Sequence, residues 1–122
     1  MKWAVIGSNS FSGDAFCRNL LSRDYEVVRI QRPDYDLNHN ISEIIELLNE
    51  EKPKYIVNFA AQSMVAQSWE YPWSWMNTNV LALTNLITEL HHRLKIHRYI
   101  HISTPEVYGS TGCAMRESFN YH

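Results

Sequence analysis

The chain has 122 residues, of which 45% are hydrophobic and 20% are charged, and its formal net charge is −2. This length suits one globular domain with a sizeable core, and the charge gives no reason to expect nucleic acid or an acidic membrane as a partner. The apolar runs are too short to cross a bilayer, the N-terminus lacks a signal-peptide pattern, and Cys17 and Cys113 lack metal-ligand spacing. We therefore expect a cytoplasmic protein with both thiols reduced.

The first part of the chain alternates predicted strands and helices. The apolar run KWAVIGS (2–8) predicts a buried strand, and the spacing of apolar residues predicts a helix over 12–23. A second strand is predicted over 25–32, because Pro33 ends it.

A polar connection, DYDLNHN (34–40), follows and has room for a short stub of strand. Asn40 and Glu43 have the spacing of a capping box at the start of the next helix. That helix should end before Pro53, and its apolar face consists of Ile41, Ile44, Ile45 and Leu48.

The remaining elements repeat this alternation. A third strand is predicted over 54–61, a long helix over 72–94 and a fourth strand over 98–104, whereas the chain from Gly109 onward has the composition of a loop. The predicted core seam of the long helix is Met76, Val80, Leu83, Ile87, Leu90 and Leu94. The alternation predicts an α/β domain over 1–122, with a doubly wound, Rossmann-like parallel sheet and helices on both faces.

The segment GSNSFSG (7–13) lies between the first strand and the first helix. A tight turn there directs backbone N–H groups and a helix N-terminus at an anion, which is the usual way to hold a pyrophosphate. Gly7 and Gly13 stand at the ends of the motif, and Ser10 occupies the place of the middle glycine. The context favours dinucleotide binding over a plain strand-to-helix turn.

The end of the second strand should meet the ribose of that dinucleotide. An acidic residue there selects NAD, but the sequence has Gln31 and Arg32, and a guanidinium suits a 2′-phosphate. We therefore expect NADP or NAD with a slight preference for NADP, and Asp36 as a partner of the adenine amino group. Equal affinities for the two cofactors would contradict the preference.

The glycine loop, NFAAQS (58–63) and STPEVYGS (103–110), in that order, resemble the extended short-chain dehydrogenase/reductase superfamily. The block from Asn58 to Val80 is most similar to nucleotide-sugar 4,6-dehydratases, especially the GDP-mannose branch. The resemblance, together with the preceding arguments, predicts cofactor contacts from Gly7, Ser10, Phe11, Gly13, Arg32, Asp36, Leu37, Ala60, Ala61, Gln62, Asn79 and Ser103. It also implies substrate contacts from Ser63, Val65, Thr104 and Glu106.

In this family the threonine of the corner bonds the sugar's 4-hydroxyl, a role that falls to Thr104, and the carboxylate two residues later is the base at C5, which falls to Glu106. Oxidation at C4 makes the C5 proton acidic, so a positioned carboxylate can remove it before water leaves C6. Epimerases do not need this base. Glu106 therefore favours a 4,6-dehydratase of deoxysugar or surface polysaccharide biosynthesis over a 4-epimerase or a keto-sugar reductase.

Two features depart from the family pattern. Pro105 stands where many dehydratases carry an aspartic acid, so the acid that protonates the leaving hydroxyl is unidentified. No tyrosine in the chain has a lysine four residues later, and Gly112 occupies that place after Tyr108. RESFNYH (116–122) resembles the segment before that pair. We expect an N-terminal piece of an enzyme that is inactive alone, and the alternative is a non-catalytic NAD(P)-binding module.

The other conspicuous side chains have ordinary explanations. The histidines at 91, 92, 97 and 101 are expected to be solvated or packed, with no metal site. Trp69, Trp73 and Trp75 are expected mainly to pack against the adjoining loop, although they could stack on a base or sugar. The family's long helix also forms a dimer interface, which implies a homodimer through 72–94.

Overall fold

The computed structural model describes residues 1–117. Within this part of the chain, four parallel strands form one sheet in the order β2–β1–β3–β4. The strands are β1 (Lys2–Ile6), β2 (Glu26–Ile30), β3 (Tyr55–Asn58) and β4 (Arg98–His101). The chain leaves β1 toward β2 on one side and later returns to place β3 on the other side, so the topological switch point lies between β1 and β3.

Helices connect these strands. They are α1 (Phe11–Leu21), α2 (Ile41–Glu51), α3 (Val65–Glu70), α4 (Pro72–Met76) and α5 (Leu83–Arg93). A π-helical turn, Asn77–Ala82, joins α4 to α5, and a 3₁₀ turn, Pro105–Tyr108, follows β4.

The sheet is covered on both faces, because successive side chains of a strand point in opposite directions. Ala4 and Ile6 belong to the cluster that includes Leu48 of α2 and Leu86 of α5, whereas Val5 packs with α1. The predicted doubly wound, Rossmann-like sheet is therefore confirmed. The strands are shorter than predicted at their carboxyl ends, and the residues beyond those ends form the loops described below.

The connection before α2 differs from the prediction in two ways. Residues 31–40 form turns rather than a stub of strand. The Asp36 carboxylate accepts a hydrogen bond from the Asn38 N–H at 2.8 Å, and the Asn40 side chain accepts from the Asp36 N–H at 3.2 Å. Side-chain bonds of this kind compete with strand pairing. The bond from Asp36 also occupies the Asn40 side chain, which was predicted to form a capping box with Glu43.

The buried face of the long helical segment was predicted only in part. Of the predicted seam, Leu90 is buried and Leu94 packs against the core, whereas Met76, Val80 and Ile87 are exposed. Ala82 and Leu86, which were not predicted, also pack in this core. The segment has apolar residues on two faces, so periodicity alone could not identify the one that meets the sheet. The π turn also alters the angle between residues before and after it, because it has more residues per turn than an α-helix.

Candidate functional site

The turn after β1 is fixed by backbone contacts on three sides. Gly7 has φ +75°, a conformation that side chains with a Cβ rarely adopt, and an added Cβ would lie 2.7 Å from the Ala60 nitrogen. The Gly7 N–H donates to the Ile30 carbonyl at 2.8 Å. The loop after β1 therefore touches the loop after β3 at the switch point, and only glycine allows this approach.

Ser10 has a structural role at the position where a middle glycine was expected. It is the N-cap of α1, and its Oγ accepts from the Gly13 N–H at 3.1 Å. A Cβ on Gly13 would overlap the Gly7 carbonyl, so Gly13 lets the helix begin directly against the turn. The N-terminus of an 11-residue helix is thereby aimed at the end of β1, with the partial positive charge that favours an anion.

A cavity of about 130 Å³ opens beside this turn, and we call it the turn cavity. Its floor includes Gly7 and Ser10, and its far side is the loop after β2, with Arg32 and Asp36. Buried Ser8 donates to the Gln31 side-chain oxygen at 2.8 Å, and Asn9 donates to the Arg32 carbonyl at 3.3 Å. The loop that carries the Arg32 guanidinium is thus tied to the glycine turn.

A second cavity, of about 640 Å³, adjoins the first, and we call it the corner cavity. The two cavities share Thr78 and the segment 60–62 as a common wall. The corner cavity extends along the end of β4 to Thr104 and Glu106. Both cavities lie outside the carboxyl ends of the strands, where open α/β sheets bind their ligands.

The common wall is held by two side-chain amides. Asn79 accepts from the Gln62 N–H at 2.8 Å and donates to the Gln62 carbonyl at 2.9 Å. Buried Asn58 accepts from the Ala60 N–H at 2.8 Å and donates to the Tyr99 hydroxyl at 3.2 Å. Burial raises the pKa of Tyr99, and the bond from Asn58 opposes that rise.

The corner after β4 brings a hydroxyl and a carboxylate together. Thr104 donates from its hydroxyl to a Glu106 carboxylate oxygen at 3.0 Å, and the Glu106 N–H donates back to the Thr104 hydroxyl at 3.4 Å. Both side chains are exposed to the corner cavity. A carboxylate in such a position can accept a proton from a molecule in the cavity, and the hydroxyl can bond to the same molecule.

The structure brings most of the predicted site residues together. Those on the turn cavity are Gly7, Ser10, Arg32, Asp36, Leu37, Ala60, Ala61 and Gln62. Those on the corner cavity are Ser63, Val65, Asn79, Ser103, Thr104 and Glu106, in addition to the shared 60–62 segment. Phe11 is 94% exposed and lines neither cavity, and Gly13 acts through the helix start. Asn79 and Ser103, predicted to contact the cofactor, lie on the corner side.

Several residues that line the cavities had no assigned role. Asn9, Tyr35, Asn38 and Thr78 line the turn cavity, and Ser68, Trp75 and His101 line the corner cavity. The triplet Asn77-Thr78-Asn79 in the middle of an otherwise apolar helical segment was the available signal for Thr78. Residues 118–122, most of the stretch compared with the segment before the family's Y-x-x-x-K motif, lie outside the described residues.

The tryptophans behave differently from the prediction. Trp69 is 85% exposed and Trp73 is 69% exposed. Trp69 lies in α3, where every residue is exposed or half-buried, so α3 covers little of the loop. Trp75 is half-buried and lines the corner cavity. Among residues 1–117, no three histidine, cysteine or acidic side chains are grouped to hold a metal.

Comparison with known proteins agrees with this geometry. The model of the NAD dependent epimerase/dehydratase family matches residues 3–120. A dTDP-glucose 4,6-dehydratase of Xanthomonas campestris pv. campestris is 30% identical over an alignment that covers 90% of this chain and 39% of the relative. The chain thus spans about two fifths of the length of the curated relatives it matches.

Solved structures show the same fold at lower identity. A UDP-glucose-4-epimerase of Stenotrophomonas maltophila, with bound NAD and formylated UDP-arabinopyranose, superposes with a TM-score of 0.81 at 17% identity, over 93% of this chain and 40% of that one. A dTDP-4-dehydrorhamnose reductase of Clostridium acetobutylicum superposes with a TM-score of 0.81 at 23% identity, over 98% of this chain and 42% of that one.

Proposed function

Because the chain belongs to the NAD dependent epimerase/dehydratase family, we propose that it binds a nicotinamide dinucleotide in the turn cavity and a nucleotide sugar in the corner cavity. The observation that carries this proposal is the shared wall at 60–62, which places the two cavities side by side at the switch point. The domain over 1–122 would then be the dinucleotide-binding part of the enzyme, with the nucleotide sugar at its edge.

The residues of the turn cavity fit a dinucleotide. The α1 N-terminus would hold the pyrophosphate, since Gly7 leaves no side chain in the way. Arg32, in the loop after β2, lines this cavity, and its guanidinium would bond the 2′-phosphate of the ribose and favour NADP. Asp36 would bond the adenine amino group. Titration of the chain with NADP⁺ and NAD⁺ in a calorimeter tests this part, and no binding of either would contradict it.

For the complete enzyme we propose dehydration of a nucleotide sugar. When bound, the nicotinamide supplies a hydride acceptor for C4 and later a hydride donor for C6. Thr104 would hold the 4-hydroxyl, whose proton would pass to a base other than Thr104 and Glu106 as the hydride leaves C4. Glu106 would take the proton from C5 once a ketone at C4 has made that proton acidic, and would return it to C5 after the hydride reaches C6. The electron pair left at C5 then forms the C5–C6 double bond as the C6 hydroxyl leaves with a proton as water. The relationship to a dTDP-glucose 4,6-dehydratase supports this choice.

A keto-sugar reductase or a 4-epimerase is the second candidate in the same class. The turns at residues 31–40, in place of a strand, give the short connection that favours a reductase, and the fold is shared with both an epimerase and a dehydrorhamnose reductase. Neither of these reactions needs Glu106 as a base. Exchange of the C5 proton with deuterated solvent by the active protein would support a dehydratase over a simple C4 epimerase or C4 reductase.

A non-catalytic NAD(P)-binding module remains the alternative of another class. Its support is Ser10, which stands at the place of the middle glycine of the motif. Tight NADP⁺ binding together with no measurable affinity for dTDP-glucose, UDP-glucose or GDP-mannose would favour the module over the enzyme.

We further propose that the protein is a cytoplasmic homodimer that associates through the 72–94 segment. Met76 is 63% exposed, Val80 51% and Ile87 39%, so this segment presents an apolar face to solvent opposite the face that packs on the sheet. No helix within residues 1–117 is long and apolar enough to cross a membrane. Sedimentation of the chain and of a Val80→Glu variant tests the dimer, since a charge on that face should shift the equilibrium toward monomer.

A further inference from the structure

The π turn Asn77–Ala82 contacts two loops, of which one lines the turn cavity and the other forms the wall that the two cavities share. Its residues Asn77 and Thr78 bond Asn38, in the loop after β2, and its residue Asn79 bonds Gln62, in the loop after β3. These loops are about 40 and 17 residues away along the chain, so the bonds hold separate segments to one short stretch of helix. π turns inside helices are frequent at functional sites.

The bonds on the turn-cavity side fix the side chain of Asn38 at both ends. Its Nδ2 donates to the Thr78 hydroxyl at 3.1 Å, and its Oδ1 accepts from the Asn77 Nδ2 at 2.8 Å. The backbone N–H of Asn38 donates to the Asp36 carboxylate at 2.8 Å. Holding Asn38 therefore orients the Asp36 carboxylate, which lines the turn cavity and is the proposed partner of the adenine amino group.

The bonds on the corner-cavity side have a different form. The amide of Asn79 bonds both the N–H and the carbonyl of Gln62, in the way that a neighbouring strand would. Each polar atom of the Asn79 side chain thereby has a partner in Gln62. Asn79 would therefore affect a molecule in the corner cavity indirectly, by fixing the position of the 60–63 backbone.

We propose that this π turn positions both ligands, with Thr78 and Asn77 setting the loop after β2, which would hold the dinucleotide, and Asn79 setting the common wall at 60–62, which both ligands would contact. These are positioning residues, and the proposal rests on the function proposed above. It predicts a division of effects between adjacent residues of one helix, which a general loss of stability would not produce.

The test compares two variants of the 122-residue chain by calorimetric titration with NADP⁺ and with dTDP-glucose, and UDP-glucose serves as a second sugar probe. Asn77→Ala combined with Thr78→Val should raise the Kd for NADP⁺ about tenfold and change the Kd for the sugar probe by less than about twofold, since a net hydrogen bond changes an affinity about fivefold. Asn79→Ala should raise the Kd for both ligands about tenfold, because the 60–62 segment that it holds is the common wall of the two cavities. Thr78→Ser keeps the hydroxyl at this position and should bind NADP⁺ as the parent chain does. Thr88→Val is the matched control, because the Thr88 hydroxyl bonds its own helix at the Thr84 carbonyl.

Hydrogen exchange of the ligand-free protein provides a second measurement. Asn79→Ala should speed exchange at the Gln62 amide, and the double variant should speed it at Asn38. Equal weakening of both ligands by both variants would overturn the positioning role and leave the proposed function intact. Failure of the unaltered chain to bind either probe would overturn the proposed function, and the positioning role with it, even if the two loops still loosen separately.

Discussion

The turn after β1 and the corner after β4 end parallel strands at the same edge of the sheet, but they are held very differently. The first lies between β2 and β3, and Gly7 is in contact with the loops of both. The second follows the outermost strand of the described sheet, and its Thr104 and Glu106 bond one another while remaining exposed. The proposed dinucleotide half of the site is thus formed by the central fold, whereas the proposed sugar half has fewer constraints from neighbouring loops.

This difference has a physical origin in the backbone. A turn between central strands must avoid collisions with its neighbours, so its sequence is restricted to residues such as Gly7 and Gly13. A corner at the edge has room for side chains with functional groups, and their chemistry can be chosen with less effect on folding. We therefore expect changes in the corner to affect the reaction and changes in the turn to affect stability and cofactor binding together.

The largest expected effect concerns the reaction itself. In any form of the protein that converts a nucleotide sugar, Glu106→Gln should lower the rate of C5 proton exchange about 10²- to 10⁴-fold, because an amide cannot accept the proton. Oxidation at C4 should continue and appear as transient reduced cofactor at 340 nm. The free energy of unfolding should change little, since the side chain is exposed. Proton exchange at the parent rate would show that another group is the base.

Gly7→Ala should have the next largest effect, and it should fall on stability. The positive φ and the approach of an added Cβ to the Ala60 nitrogen together should lower the free energy of unfolding by about 3 kcal/mol, measured by urea denaturation. Gly112→Ala is the matched control, because an added Cβ there meets no atom within 4 Å. Similar stability of the two variants would remove the contrast between the turn and an unconstrained loop.

The sequence predicted the turn well and the connections between loops poorly. The Gly7–Gly13 motif and the alternation of strands and helices are local patterns, and local patterns fix backbone geometry that a reader of the sequence can anticipate. The bonds from Asn38 to Thr78 and from Asn79 to Gln62 join segments far apart in the chain, so no local spacing indicates them. The exposed seam at Met76 and Val80 was mistaken for core because an apolar helix face has the same period wherever it packs.

Arg32→Ala tests the cofactor preference and should have a smaller effect. We expect the parent chain to bind NADP⁺ more tightly than NAD⁺, and the variant to lose roughly tenfold in NADP⁺ affinity while NAD⁺ affinity stays nearly constant, because a charge-assisted bond to the 2′-phosphate is removed. Arg23→Ala, at an exposed position after α1, is the control for the change in net charge. Equal affinities of the parent chain for the two cofactors would contradict the NADP preference without affecting the fold.

The smallest expected effect concerns Tyr99, which links the edge strand to the central loop through Asn58. Tyr99→Phe removes the hydroxyl that accepts from Asn58 at 3.2 Å, so it should lower the free energy of unfolding by about 1 kcal/mol at neutral pH.

Burial raises the pKa of Tyr99 in the folded protein, so the folded state holds this proton more tightly than the unfolded state does. The stability that this contributes is complete below the ordinary tyrosine pKa of about 10 and is lost as the pH rises through the folded value. The gap between parent and variant should therefore narrow above about pH 10 in urea denaturation series. Tyr71→Phe, at a position that is 58% exposed, is the matched control for the loss of a tyrosine hydroxyl. A gap that stays constant or widens with pH would mean that burial does not hold the proton on Tyr99, and the link between β4 and the loop after β3 would then be weaker than the structure indicates.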